Sequence, residues 1–214
     1  MKTLIKNAHI ISPDVDIQNG AILFDGKKIA AVFLDNNDLP AADQTVDAGG
    51  KMVVPGFIDV HFHGRSGYDF CDGTQESMSA IGNDKIKDGV TSFLGTTLTV
   101  SEEQLSAALR SAAEYMKAPT GAKVAGVHLE GPFINPKCLG AQNPEFVRKP
   151  DIEMVKRLNA IFPVKKVSYA LEVEGALEFT QQLLALGITP SCVHTAASYK
   201  DYLNASRYGF KNLS

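Results

Sequence analysis

The sequence predicts an α/β fold, a parallel (β/α)8 barrel of which about five β/α units are visible. Three observations lead there. From Phe57 onward, apolar strands alternate with amphipathic helices, the pattern of a parallel sheet covered by helices. The alternation recurs at roughly 30 residues, the period of an eight-unit barrel of about 250 residues. Polar residues stand at the C-terminal tips of the strands, where such barrels carry their sites. A flavodoxin-like five-stranded sheet is the alternative. No GxGxxG or P-loop motif opens a helix, which leaves a dinucleotide or P-loop phosphate site without support.

Residues 1–54 read as a small β domain and 55–214 as the barrel part. Residues 3–11, 21–24 and 28–33 are β-rich runs broken by SPDVD, Asp25-Gly26 and DNND at 35–38. The second and third runs are joined by Asp-Gly-Lys, a hairpin signal. Gly49-Gly50 and Pro55-Gly56 punctuate the boundary. Beyond it, strands are expected at 57–62, 90–97, 124–129, 167–171 and 188–193, with a sixth beginning near Phe210. Helices are expected at 101–117, 151–162, 174–186 and 196–208. The first has a capping-box pair in Ser101 and Gln104 and an apolar face of Leu105, Ala108, Leu109, Ala112 and Met116. Asp151 caps the second, and Gly187 and Gly209 stop the last two.

The chain has 214 residues, 44% apolar and 21% charged, with a formal net charge of −3. That balance excludes wholesale disorder and lacks the basic excess of a nucleic-acid binder. No apolar run approaches the roughly 18–20 residues of a membrane span. Residues 1–14 have no apolar core or small-residue cleavage site, so no signal peptide is expected. Cys71, Cys138 and Cys192 form no CxxC pattern and read as reduced, buried, small apolar residues. Together these features predict a cytoplasmic globular protein.

Three strand ends carry candidate chemistry. In Pro55-Gly56-Phe57-Ile58-Asp59-Val60-His61-Phe62-His63, the two histidines lie at i and i+2 and project from one face of a strand. Such a pair serves either as packed core or as metal ligands, and its place at the end of an apolar strand favours ligands. The run Val124–Glu130 ends in a carboxylate, which needs a cation or several donors if buried; the other reading is a solvated loop acid. His128 shares its face and reads as packing beside the site. His194 ends a third strand just before a helix and becomes a ligand candidate as a third convergent position. Lys165 and Lys166 start a strand and read as solvated, and His9 reads as structural.

PGFIDVHFHG resembles the first-strand signature of the amidohydrolase superfamily. HLEGPFINP, GAQNPEFVRKPD and VHTAASY are similar, more narrowly, to the N-acetylglucosamine-6-phosphate deacetylase family, and the resemblance runs through essentially the whole chain. It implies a barrel of amidohydrolase type with a small N-terminal β-sandwich domain that the family completes from its C-terminus. It implies Glu130 and His194 as metal ligands, His61 and His63 as the pair that holds a second ion in dinuclear members, and Ala141 and Gln142 as sugar contacts. The cofactor so implied is one or two divalent ions, Zn2+ or Fe2+ suiting His/Glu ligands better than Mg2+ or Ca2+. The activity so implied is hydrolysis of the N-acetyl group of N-acetylglucosamine 6-phosphate, a small amino-sugar phosphate, by a homodimer. The catalytic aspartate and a further metal-binding histidine of the family are expected beyond Ser214. The chain departs from the family at Gln142, where a histidine is usual, at Val193, where glycine precedes the ligand histidine, and at Leu171, in place of a proline. Two rival expectations are a cyclic-amide hydrolase and an inactive remnant. The first typically uses a carboxylated lysine ending strand four, and Tyr169-Ala-Leu-Glu-Val offers none.

Overall fold

The structure is a computed structural model and describes residues 1–213. It forms two compact units, Met1–Gly56 and the residues from Phe57 onward. In the first unit, β1 (Lys2–Ser12) pairs antiparallel with β2 (Val15–Asp25), which pairs antiparallel with β3 (Lys28–Phe33). Gly26, at φ 57°, supplies the left-handed residue of the second hairpin loop. Strands β4 (Gln44–Asp47) and β5 (Met52–Val53) add parallel to successive stretches of β1. Apolar residues pack on both faces, Leu4, Ala21 and Leu23 on one, Ala8, Ile10 and Ile22 on the other. The described strands of this unit are joined in one hydrogen-bonded sheet, in the order β3-β2-β1-β4 with β5 also on β1. His9 pairs there with Asp16 at 2.8 Å.

The second unit holds the candidate site. Its elements are β6 (Phe57–Asp59), a ribbon of β7 (Gly64–Arg65) and β8 (Tyr68–Asp69), α1 (Gln75–Lys87), β9 (Val90–Thr96), α2 (Glu102–Tyr115), β10 (Lys123–Glu130), α3 (Ile152–Ile161), β11 (Val164–Tyr169), α4 (Ala176–Ala185), β12 (Thr189–Cys192), α5 (Tyr199–Ser206) and β13 (Asn212–Leu213). Six strands, β6, β9, β10, β11, β12 and β13, lie side by side in chain order, each parallel to the last. A doubly wound sheet reverses its order at a switch point; this one does not, and it curls as part of a barrel. Val127, Leu129, Val167 and Tyr169 face the helices with Leu105, Leu109, Val155, Leu158 and Phe179. The alternate residues His128, Glu130 and Ser168 turn to the other face, as the two-residue strand period requires. Among the described residues no helix is long and apolar enough to cross a membrane.

Several boundaries differ from the sequence pattern for identifiable reasons. Strand β6 ends at Asp59 rather than at 62, because the Phe62 N–H goes to the Thr96 hydroxyl. Helix α4 starts at Ala176 behind Gly175, and α5 at Tyr199 behind the Ser198 cap. The Ala196 and Ala197 amides that would have extended α5 backwards are given to Glu172 and Thr195 side chains. Helix α1 has no counterpart among the helices the sequence pattern predicts, since its box is Thr74–Ser77 and its buried face includes Lys85. Lys166, expected in solvent, is half-buried opposite His128, and burial lowers its proton affinity. Cys192 is buried as expected, but Cys71 and Cys138 are only partly so.

Candidate metal centre

The centre is built on Glu130, the last residue of β10, whose carboxylate is almost wholly buried. One oxygen, Oε2, lies 3.0 Å from His61 Nε2 and 2.7 Å from His63 Nε2. The other, Oε1, lies 3.0 Å from His194 Nε2. Ligand atoms of His61, His63 and Glu130 all fall within 4.8 Å of one another. The four ligand candidates of the sequence are thus one cluster, drawn from the ends of three strands. Ala141 is exposed on the loop after β10, while Gln142 is buried, its Oε1 accepting the Thr99 N–H at 2.6 Å.

His194 and the segments that carry the other candidates are held from behind, whereas the buried Nδ1 of His63 has no hydrogen-bond partner among the described residues. His194 sits at φ 46°, and its Nδ1 lies 2.9 Å from the Cys138 carbonyl. A carbonyl only accepts, so Nδ1 carries the hydrogen and a neutral ring turns the Nε2 lone pair toward Glu130. Glu172 accepts from Asn135 Nδ2 at 2.5 Å, from the Ala196 N–H at 2.6 Å and from the Thr195 hydroxyl, which fixes the turn after His194. Lys85, itself buried, donates to Asp59 at 2.5 Å and lies 3.4 Å from the Phe62 ring centroid, tying α1 to the histidine pair. Thr97 accepts the Glu130 N–H at 3.3 Å. Asn135, Glu172 and the threonines at and just beyond the end of β9 carry no functional mark of their own in the sequence pattern. A Thr-Thr-x-Thr run ending an apolar strand was the available signal.

The electrostatics suit a cation. Burial acts to raise the Glu130 pKa, but the hydrogen bond from His63 and the charges of His61 and His63 outweigh it, bringing the carboxyl down to about 2. The same bond with Glu130 raises the His63 pKa above its usual value, against burial. His128 is different: burial, then the Lys166 charge, push it down to about 3, so it stays neutral. Two carboxylate oxygens and three imidazole nitrogens therefore converge where only protons or a metal ion keep them from repelling. Nitrogen and carboxylate donors at this spacing fit a divalent ion.

The amidohydrolase family profile matches residues 52–206. N-acetylglucosamine-6-phosphate deacetylase of Bacillus subtilis (strain 168) is 31% identical over 217 residues, covering 99% of this chain and 55% of the relative. N-acetylgalactosamine-6-phosphate deacetylase of Escherichia coli O157:H7 is 30% identical over 182 residues, covering 78% of this chain and 48% of the relative. The crystal structure of N-acetylglucosamine-6-phosphate deacetylase from Pasteurella multocida superposes with a TM-score of 0.89 at 26% identity, covering 100% of this chain and 56% of that one. The chain spans about half the length of the relatives it matches. With the profile running from the end of the β domain to α5, and the histidine pair, the glutamate and the strand-end histidine gathered on one parallel sheet, the chain belongs to the amidohydrolase family.

Proposed function

We propose that this chain carries the metal-binding part of a deacetylase that hydrolyses N-acetylglucosamine 6-phosphate to glucosamine 6-phosphate and acetate. The observation that carries the reading is the Glu130 carboxylate shared between His61/His63 on one oxygen and His194 on the other. A carboxylate with imidazoles on both oxygens suits one ion or a bridged pair, and Zn2+ or Fe2+ is the assignment for these donors. A divalent cation so held supplies Lewis acidity to polarise an amide carbonyl and acidify water. Glu130 stays ionised throughout the neutral range and His128 stays uncharged, so the chain offers a negative, imidazole-lined cradle. Ala141 and Gln142, on the loop that reaches His194 through the Cys138 carbonyl, are assigned to the sugar. We further infer a cytoplasmic setting, and a homodimer for the protein that contains this chain.

The test is acetate release from N-acetylglucosamine 6-phosphate by the protein that contains this chain, loaded with Zn2+ or Fe2+. The galactosamine epimer and dihydroorotate serve as comparison substrates. Turnover of the glucosamine compound that falls at least about 100-fold in Glu130→Gln supports the reading, because metal-held charge stabilisation is worth several kcal/mol. Turnover of dihydroorotate alone, or of none of the three, overturns it.

A further inference from the structure

Strand β6 leaves the sheet ladder at Asp59, two residues before His61. The peptide between the two histidines is held instead by one residue on the neighbouring strand. The Thr96 N–H donates to the Phe62 carbonyl at 3.0 Å, and the Phe62 N–H donates to the Thr96 hydroxyl at 2.7 Å. Both backbone groups of Phe62 are thereby spoken for, and the planes of its two peptides set where His61 and His63 project. Thr96 is completely buried.

The same hydroxyl has one hydrogen left to give. His128 Nδ1 lies 3.3 Å away and the Leu94 carbonyl 3.5 Å. Donation to the nearer nitrogen makes His128 the Nε2–H tautomer, and that N–H lies 2.6 Å from Ser168 Oγ. The His128 ring stands edge-on to His61, with centroids 4.8 Å apart and an interplanar angle of 83°. A chain of contacts therefore runs from Ser168 on β11 through His128 on β10 and Thr96 on β9 to the histidine pair after β6. The Thr96 and Ser168 hydroxyls touch the Phe62 backbone, the Leu94 carbonyl and His128, so their effect on an ion passes through the imidazoles.

We propose that Thr96 is a positioning residue for the His61/His63 pair, its hydroxyl setting the geometry in which those imidazoles meet an ion. This rests on the metal-centre reading above. Valine at this position matches threonine in shape but removes the acceptor for Phe62 N–H and the donor for His128. Serine keeps both. Shape and chemistry are thus separable by two substitutions.

The experiment strips the protein that contains this chain with chelator and titrates it with Zn2+ against a chromophoric competitor, then records the visible spectrum of the Co2+ form. Supporting-shell losses typically cost 10–100-fold in metal affinity, so Thr96→Val should bind Zn2+ about 10–100-fold more weakly, with a shifted Co2+ spectrum, while Thr96→Ser stays within about 3-fold of the parent. Ser111→Ala, which removes a buried hydroxyl on α2, should leave both readouts unchanged. Circular dichroism confirms that each variant folds; if Thr96→Val does not, Thr96→Ala makes the same comparison with Thr96→Ser. Parent-like binding by a folded Thr96→Val, with binding still lost in Glu130→Gln, overturns the Thr96 role alone. Failure of serine to restore binding also overturns it. A parent protein that binds no Zn2+ overturns the metal-centre reading and this inference with it.

Discussion

Glu130 Oε1 and His194 Nε2 face each other at 3.0 Å, although the other nitrogen of that imidazole already gives its hydrogen to the Cys138 carbonyl. Two electron-rich atoms at this distance hold together only through a proton or a metal ion. A divalent ion taken up between the Glu130 carboxylate and the imidazoles around it would relieve that opposition.

The first prediction is a pH-dependent affinity. His63 holds its proton above its usual value of 6.5, so below that point an incoming ion has to displace it. Glu130, ionised down to about 2, has no proton to lose near neutrality. Zn2+ affinity should rise between about pH 5.5 and 8, with proton release on binding that shrinks toward the upper end. Calorimetric titration in two buffers of different ionisation heat measures that release. An affinity that is flat across this range would sink the displacement argument.

Much of the architecture was legible because it rests on patterns that act over short stretches. The apolar runs of β9, β10 and β11 and the capped face of α2 appear in the sequence with boundaries shifted by only a few residues. His61, His63, Glu130 and His194 were legible because strand ends expose their chemistry. What supports them was not. Thr96 is an ordinary strand residue until its hydroxyl meets Phe62, and Glu172 an ordinary loop acid until Asn135, Thr195 and Ala196 donate to it. Such partners lie 23 to 37 residues apart and follow from register, which periodicity does not encode. Helix α1 is not legible in the pattern because Lys85 interrupts its apolar stripe, and the pairing with Asp59 and the Phe62 ring make that burial tolerable.

His128 provides the second prediction, a loss of stability in acid. Its pKa falls from 6.5 to about 3 on folding, so between those values the unfolded chain binds a proton that the native chain refuses. Stability contributed by neutral His128 is present above pH 6.5 and declines as pH falls toward 3. From pH 7 to 5 the linkage amounts to about 2 kcal/mol. Urea unfolding of His128→Gln, whose amide does not titrate, should show a drop smaller by about that amount. Equal drops in the two proteins would mean that His128 titrates normally.

Third, the Asp59–Lys85 pair should respond asymmetrically. The Lys85 side chain is 6% exposed, whereas that of Asp59 is 30% exposed and rehydrates if left alone. Lys85→Met should cost about 1–3 kcal/mol, below the 3–5 typical of breaking a buried pair. Asp59→Asn leaves an ammonium in the interior and also weakens the acceptor of the His61 N–H, so it should cost more. The double variant should recover part of the loss. Equal effects from the two single changes would show that the pair is not buried in this way.

Gln142 gives the last prediction, and its logic does not depend on activity. Its Oε1 accepts the Thr99 N–H at 2.6 Å, both residues are buried, and Thr99 lies three residues beyond Thr96 on the segment that follows β9. Gln142→Leu keeps the bulk but strands that N–H, a loss of about 1–3 kcal/mol by the cost of an unsatisfied buried donor. Gln142→His returns a nitrogen acceptor and should regain most of it, which thermal melting of the three proteins would read directly. If leucine melts with the parent, the bond is not made in solution. For the deacetylase reading, histidine at this loop should lower KM while leaving kcat comparatively unchanged, since a ground-state sugar contact acts on binding. A rise in kcat at constant KM would instead place residue 142 against the reacting amide and overturn its assignment to the sugar.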